Sequence, residues 1–275
     1  MALTLNMNSG FARRQVSQAT RNLSNSFSKV SSGKRITKAA DDAAGMAVAS
    51  NLDTKARSTK QAMRNTNDGI SMIQVAEGAY ETAGNIYKRM RELAVQGSSE
   101  TLANTERGYL SDEYIQLSDE LDQIAKVTEF NGINLTASGS NSIIEMQVGI
   151  NNSSNDRIAV RFGKLDADST LLAQSPFTSI ASMVGAQRAI DNVTAAIDEL
   201  NGYRSDLGAV QNRLVSALRG NETYYENLVG AGSQIEDLDY ANETANLAKA
   251  QIMQQASISV LAQSRSIDEQ ILSLI

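Results

Sequence analysis

Cysteine and histidine are absent from the 275 residues of the sequence. Their absence excludes thiol and imidazole chemistry, zinc sites built from those residues, and nucleophiles of the Ser-His or Cys-His kind. Aromatic residues make up only 5% of the chain, so a core must consist mainly of Ala, Leu, Ile, Val and Met. The single proline, Pro176, leaves the rest of the chain free to form very long helices. We therefore expect a helical protein that is not an enzyme and holds no cofactor or metal ion.

The charge and hydropathy of the chain argue against nucleic acids and membranes as partners. The net charge is -6 at pH 7 and no basic cluster offsets it, which argues against binding to nucleic-acid phosphates. No apolar run approaches the roughly 20 residues that span a membrane, so no membrane interaction is expected. The first residues lack a basic segment followed by an apolar one, so no classical signal peptide is expected.

The C-terminal stretch, residues 236–275, has the pattern around which the chain is organised. Its apolar and small residues recur at steps of three and four, which predicts one helix with apolar character on several faces. After residue 245 the only charged residues are Lys249, Arg265, Asp268 and Glu269. A single neighbour could not cover such a helix, so we expect it to have partners on several sides.

Helical periodicity also covers most of the remaining chain. The N-terminal helix carries the stripe Val16, Ala19, Leu23, Phe27 and Val30 and should end near Gly33. A second helix is predicted over residues 43–96, with Thr37 or Asp41 as its N-cap. A third, over 104–127, should be its antiparallel neighbour because the connection is short. A fourth is predicted over about 178–229, with a break at 231–233.

The pattern changes to a period of two between these helices. Ile144, Met146, Val148 and Ile150 alternate with more polar residues, and a second alternating run follows a polar turn at 151–156. This predicts a β-hairpin at about 143–163. Because an isolated hairpin is marginally stable in water, its apolar face should lie on the helices.

These segments predict a mainly α protein, a long antiparallel helical bundle or coiled coil with a small β-hairpin. The two chain ends should pair as a coaxial helical rod. We assign residues 1–42 and 234–275 to a terminal-helix domain for polymerisation, and residues 43–233 to a helical rod that contains the hairpin.

The apolar faces of the terminal domain predict self-association. A soluble monomer rarely exposes a contiguous apolar patch above a few hundred Å², so the ends should stay largely unfolded until identical copies surround them. Contacts between copies that do not close into a ring produce an open helical filament. The residues expected to carry self-assembly are Val16, Leu23, Phe27, Val30, Ile252, Ala256, Val260, Leu261, Ile267, Ile271 and Leu274.

Several motifs, at both ends and in the middle of the chain, give it a resemblance to a known family. In order along the chain they are Leu23-Ser24, residues 30–36 (VSSGKRI), 41–49 (DDAAGMAVA), 91–96 (RELAVQ), 130–132 (FNG), 248–256 (AKAQIMQQA), 259–263 (SVLAQ) and 272–274 (LSL). Together they make the chain resemble bacterial flagellins, in a short form without large outer variable domains. One departure is the lack of the usual proline near the C terminus, in residues 265–269.

The resemblance implies a structural subunit of the extracellular flagellar filament, the propeller of motility. The terminal domain would form the inner tube (D0-like) and the middle the outer tube (D1-like). Export would proceed unfolded through the flagellar type III apparatus. Implied partners are further copies of the chain, the filament cap and hook-filament junction proteins, and an export chaperone that holds the C-terminal helix.

The same resemblance implies a host partner, because Arg89, Leu93 and Glu113 match positions through which a Toll-like receptor recognises flagellins. The alternative is that Arg89 and Glu113 are solvated charges and Leu93 is a buried helix residue, and we favour it as their everyday role.

Two other functions remain open on sequence grounds. The hook-filament junction protein resembles flagellin at both ends, but the strength of the motifs at 41–45 and 254–256 favours the filament. A monomeric coiled-coil adaptor or chaperone would carry charged flanks along its terminal helices, and these are missing.

Overall fold

The elements of the chain follow the predicted order of helix, long helix, shorter helix, hairpin, long helix and helix. The computed structural model describes residues 2–137, 143–165 and 179–272, with side chains described over 10–137, 143–165 and 179–267. These ranges contain five α-helices: α1 (Ala2–Ser32), α2 (Ala43–Gly97), α3 (Asn104–Val127), α4 (Met183–Glu236) and α5 (Tyr240–Leu272). They also contain two antiparallel strand pairs, β1 (Glu129–Phe130) with β2 (Ile133–Asn134) and β3 (Ile143–Gln147) with β4 (Arg157–Arg161). The predicted fold class is confirmed.

The helix α2 begins at a cap that the sequence prediction misplaced. Asp42 is the N-cap, because its carboxylate accepts a hydrogen bond from the backbone N–H of Gly45 at 2.9 Å. The neighbouring Asp41 instead closes the preceding loop, where it accepts backbone hydrogen bonds from Thr37 and Lys38, both at 3.1 Å. The Thr37 bonds, the backbone one above all, hold the pKa of Asp41 below its ordinary value. The prediction of Thr37 or Asp41 as the cap of α2 was therefore wrong.

The helix α4 is offset from its predicted span at both ends. It begins at Met183, after Ser182, whose hydroxyl accepts a hydrogen bond from the backbone N–H of Gly185 at 3.1 Å. It continues through the predicted break at 231–233, because one interior glycine costs a helix only about 1 kcal/mol. The chain leaves the helix after Glu236, and Asp239 then caps α5 by accepting from the backbone N–H of Asn242 at 3.2 Å.

The helices α2, α3 and α4 share one hydrophobic core. Arg89 of α2 forms an ion pair with Glu113 of α3 at 2.7 Å, and the guanidinium Nε of Arg107 donates to the Gly97 carbonyl at 2.9 Å. Because numbering rises in one helix as it falls in the other, α2 and α3 are antiparallel, as predicted. The largest side chains of these three helices that the core buries completely are Ile73, Tyr80, Met90, Leu93, Tyr114, Leu121, Leu207 and Leu214.

The predicted hairpin is formed by β3 and β4, with Ile144 opposite Val160 and Met146 opposite Ile158. Its apolar face lies on α2, because a Cβ placed on Gly69 would come within 2.2 Å of the Met146 sulfur. A side chain at position 69 would force the Met146 side chain to move, so the hairpin packs closely on α2 at this glycine.

The pair β1–β2 was not predicted. Asn131 and Gly132 connect the strands with φ values of 51° and 78°, the left-handed conformation that a two-residue hairpin turn needs. The Asn-Gly signal was present in the sequence, but strands of two residues carry no readable periodicity.

Tyr80 fastens the end of the hairpin segment to the bundle. Its hydroxyl donates to the Gly163 carbonyl at 2.8 Å and accepts from the Gly163 N–H at 2.7 Å, while its ring stacks on Tyr203 with centroids 6.5 Å apart. Burial raises the pKa of Tyr80 above its ordinary value. Both backbone groups of Gly163 thus depend on one side chain.

The chain divides into two compact units, Met1–Ala56 with Glu226–Ile275, and Arg57–Tyr225. The first contains α1 and α5, and the second contains α3 and all four strands. The predicted domain boundaries, after residues 42 and 233, refer to layers of a polymer and stay a prediction.

Replacement of Tyr80 by Phe should destabilise the fold, because two buried backbone groups of Gly163 lose their hydrogen-bond partner. We expect the free energy of unfolding, measured with urea, to fall by about 1–3 kcal/mol. The matched control is Tyr109→Phe, whose side chain is 71% exposed, and it should leave stability nearly unchanged. Equal effects of the two substitutions would contradict this role of Tyr80.

Alkaline pH should weaken the fold through its buried tyrosines. Burial raises the pKa of Tyr114 to about 12, above the value of about 10 in an unfolded chain. The unfolded state therefore loses this proton first, and the free energy of unfolding falls as pH rises from about 10 towards 12. Urea unfolding at several pH values should show a shallower fall in Tyr114→Phe than in the wild type. Tyr109→Phe should keep the wild-type slope, and a wild-type slope in Tyr114→Phe would refute the prediction.

Candidate functional site: the terminal helix pair

The two terminal helices, α1 and α5, lie side by side in antiparallel orientation. Near one end, the Tyr240 hydroxyl of α5 donates to the Val30 carbonyl of α1 at 2.9 Å. Further along, the Gln254 side-chain amide donates to the Thr20 hydroxyl at 3.4 Å. The numbering falls in α1 as it rises in α5, so the ends of the chain pair as the sequence predicted. We call α1 and α5 the terminal helix pair.

The seam of the terminal helix pair is made of small residues. Among the side chains of α1 that the structure describes, from residue 10 onward, the buried hydrophobic ones are Ala12 and Ala19, at 7% and 6% exposure. Val16, Leu23 and Val30 are only half-buried beside them. Small side chains let two helix backbones approach closely, but they bury little apolar area. Pairing therefore uses only a small part of the hydrophobic surface that these helices carry.

Several large apolar side chains of the pair are exposed instead of packed in the seam. Each of the following is at least half exposed to solvent: Phe11, Phe27, Ile252, Met253, Ile258, Val260 and Ile267. Isolated exposed apolar residues are normal, but a concentration of them on one element marks an interaction surface. Such an arrangement can bind other apolar surfaces.

The residues predicted to carry self-assembly fall on both of these surfaces. Val16, Leu23, Val30 and Leu261 are half-buried, whereas Phe27, Ile252, Ala256, Val260 and Ile267 are exposed. The side chain of Ile271 and the whole of Leu274 lie outside the described residues. The predicted self-assembly residues do not include Phe11, Met253 and Ile258, which belong to the outward surface. The stripe of every third or fourth residue locates the partner helix, and these three lie beside it rather than on it.

The connections next to the terminal helix pair fix its register. Gly33 ends α1 with φ at +70°, the left-handed conformation predicted for a helix C-cap. The carbonyl of Gly33 then accepts from the Leu238 N–H at 3.1 Å, and the Arg35 N–H donates to the Glu236 carbonyl at 2.7 Å. Lys34 and Glu236 add an ion pair at 2.6 Å. These backbone bonds tie the two connecting segments together, whereas the exposed ion pair contributes little.

The residues assigned to receptor recognition lie in the helical bundle. Arg89 donates to Glu113 and to Glu92, and the hydrogen bond to Glu113 in particular raises the pKa of the guanidinium. Their side chains are partly exposed, at 50% for Arg89 and 43% for Glu113. Leu93 is 1% exposed and belongs to the core. The structure thus brings Arg89 and Glu113 together at the surface, whereas Leu93 is buried beneath it.

The family models that match the chain cover both of its ends. The bacterial flagellin N-terminal helical region matches residues 4–141, and the bacterial flagellin C-terminal helical region matches residues 190–275. The chain belongs to the bacterial flagellin family. This confirms the predicted resemblance and the predicted function of a structural subunit of the flagellar filament.

Relatives of known name span nearly the whole chain. The flagellin of Halalkalibacterium halodurans is 39% identical over 249 residues, which cover 90% of this chain and 89% of the relative. The flagellar filament 30.7 kDa core protein of Treponema maltophilum is 34% identical over 286 residues and covers all of both chains. Among solved structures, one described as a flagellar hook-associated protein of Vibrio parahaemolyticus matches with a TM-score of 0.59 at 11% identity. That match covers 72% of this chain and all of the other, and at such low identity it shows the fold alone. Nothing favours the alternative of a hook-associated protein.

Membership of the family also places the chain in an extracellular appendage. In the part of the chain that the structure describes, no helix combines the length and hydropathy needed to cross a bilayer. The flagellin relatives of this chain are structural proteins. That this chain has no enzymatic activity stays a prediction.

Overpacking the alanine seam should weaken filaments. Ala19→Leu places a large side chain at a buried position of the seam, at a cost of about 1–3 kcal/mol per subunit. We expect Ala19→Leu filaments to dissociate at a lower temperature than wild-type filaments, as followed by light scattering. The control is Ser24→Leu, which adds the same side chain at an exposed position of α1. Filaments of both variants that dissociate at the same temperature would argue against a close seam at Ala19.

Proposed function

We propose that the chain polymerises through the outward apolar surface of its terminal helix pair, which identical subunits cover in the filament. The observation that carries this proposal is that the seam buries small side chains while the outward surface exposes large apolar ones. The seam buries alanines, whereas Phe27, Ile252 and Val260 are 64%, 65% and 58% exposed. A filament subunit has one abundant partner for such a surface, a further copy of itself.

The free-energy balance supports coupling between folding of the ends and assembly. Ordering costs about 1–2 kcal/mol per residue in backbone entropy, and burial returns about 25 cal/mol for each Å² of apolar surface. A pair that buries mainly alanine recovers little of that cost by itself. The terminal helices therefore become fully ordered only when several neighbours cover the outward surface.

This coupling favours growth over nucleation. A subunit that arrives at an existing filament end finds several neighbours at once, whereas two free subunits offer each other only one. The contacts join different surfaces of identical copies and do not close, so they extend into a helical polymer. Filaments should therefore grow readily from fragments and form slowly without them.

The same surface explains the partners implied before assembly. A free subunit with unpaired apolar helices is prone to aggregate, so an export chaperone that covers α5 protects it. Export in the unfolded state through the type III apparatus needs no signal peptide, and weakly paired ends unfold at little cost. The cap and junction proteins meet the same helices at the two ends of the filament.

A host Toll-like receptor would bind a different surface, the one around Arg89 and Glu113. Arg89 and Glu113 are accessible in the folded bundle and form a charged pair on neighbouring helices, which supports a polar contact there. The burial of Leu93 supports a structural role for that residue. Receptor recognition through this site uses the charged pair and not the leucine.

A single charge on the outward surface should block polymerisation without disturbing the subunit. Val260 is 58% exposed, so Val260→Asp leaves the bundle core intact but puts a carboxylate where a neighbour must pack. We expect no elongation from wild-type filament fragments in electron micrographs, together with a circular dichroism spectrum like that of the wild type. Burial of an unpaired charge accounts for the loss.

Gln255→Asp is the matched control, since it introduces the same charge at an exposed polar position of the same helix. It should elongate more readily than Val260→Asp. Elongation of Val260→Asp at the wild-type rate would refute the proposal.

A further inference from the structure

A methionine lies on the outward surface of the terminal helix pair. Met253 of α5 is 52% exposed, and it is the only exposed methionine among the side chains that the structure describes. In contrast, Met72, Met90 and Met146 are buried, at 8%, 0% and 7% exposure. The rate at which a thioether is oxidised depends on its accessibility to the oxidant. In the folded subunit, Met253 is therefore the described methionine that is most exposed to an oxidant.

Met253 borders a groove of about 330 Å³ between α1 and α5. The groove is lined by short alanine and serine side chains and by polar groups, among which are Gln18, Asn22, Asn246 and Lys249. The neighbouring residue Gln254 donates to Thr20 across the same helix pair. The sulfur thus sits between the apolar outward surface and a row of amide groups, at a place where a change of polarity affects both.

We propose that Met253 is a redox-modification site at which peroxide oxidation to the sulfoxide prevents a free subunit from joining the filament. This inference rests on the proposed function of the outward surface. Hydrogen peroxide transfers one oxygen atom to the thioether. The sulfur–oxygen bond forms as the peroxide O–O bond breaks, the sulfur is oxidised by two electrons, and the second peroxide oxygen leaves as water.

The physical effect is a change from an apolar to a polar side chain at a surface that must lose its water. The sulfoxide oxygen is a hydrogen-bond acceptor, and covering it with a neighbouring subunit removes the water that satisfies it. A subunit already in the filament has its sulfur covered. The modification therefore acts on free subunits and spares the assembled polymer.

Seeded growth tests the proposal directly. Free wild-type subunits are treated with hydrogen peroxide, the peroxide is removed with catalase, and untreated filament fragments are added. Light scattering follows elongation, and peptide mass spectrometry measures the sulfoxide at each methionine. We expect treated subunits to elongate about tenfold more slowly, the factor expected when one buried polar group lacks a partner.

Two variants separate Met253 from the other methionines. Met253→Leu keeps the volume and removes the thioether, so it should elongate equally with and without peroxide. Met183→Leu removes a half-buried methionine of α4 and should remain as sensitive as the wild type. Treatment of oxidised wild-type subunits with methionine sulfoxide reductase should restore their elongation, because it returns the thioether.

The outcomes distinguish this inference from the proposed function. Wild-type subunits that carry the Met253 sulfoxide and still elongate at the untreated rate would overturn it. So would an equal loss of elongation in peroxide-treated Met253→Leu, or a reductase treatment that reduces Met253 without restoring growth. Wild-type elongation that needs no outward apolar surface, as shown by normal growth of Val260→Asp, would instead remove the proposed function.

Discussion

The close approach of α1 and α5 along Ala12 and Ala19 is the constraint on which the rest of the structure depends. Because the seam is filled by small side chains, the large apolar residues of both helices are left on the outside. A pair built in this way is a poor domain by itself and a good component of a polymer. The backbone bonds between the two connecting segments, such as Leu238 to Gly33, then hold the two chain ends in one register, so each subunit presents the same surface to its neighbours.

The helical bundle of α2, α3 and α4 differs from the terminal helix pair, because it buries its large apolar side chains within one chain. Its core residues, Tyr80, Leu93 and Leu121 among them, are almost completely buried within one chain, and the hairpin is closed by hydrogen bonds between Tyr80 and Gly163. On the proposed function, one chain combines a bundle that has its own buried core with a terminal helix pair whose outward surface other subunits cover, which suits the flagellin family to which the chain belongs.

The sequence predicted the helices and strands that have a strong hydrophobic period. It did not predict helix ends and caps, which depend on single residues. The stripes gave α2 and α3 nearly to the residue, and the alternation around Met146 gave the main hairpin. Gly232 did not end α4, because the next turn of helix continues to be favourable and one glycine costs little. The choice of Asp42 over Asp41 as the cap depends on loop geometry that no pattern encodes. Periodicity also located the terminal surface but not its two faces, since it cannot tell a small-residue seam from the large residues beside it.

Hydrogen–deuterium exchange of the terminal helices, compared between dilute subunits and filaments of the same protein, tests the central claim most directly. If neighbours complete the outward surface, backbone amides of α1 and α5 should exchange rapidly in the free subunit and become strongly protected in the filament. Amides of α2 and α3 around Tyr80 and Leu121 should be protected in both states. Equal, strong protection of α1 and α5 in dilute subunits would contradict the claim.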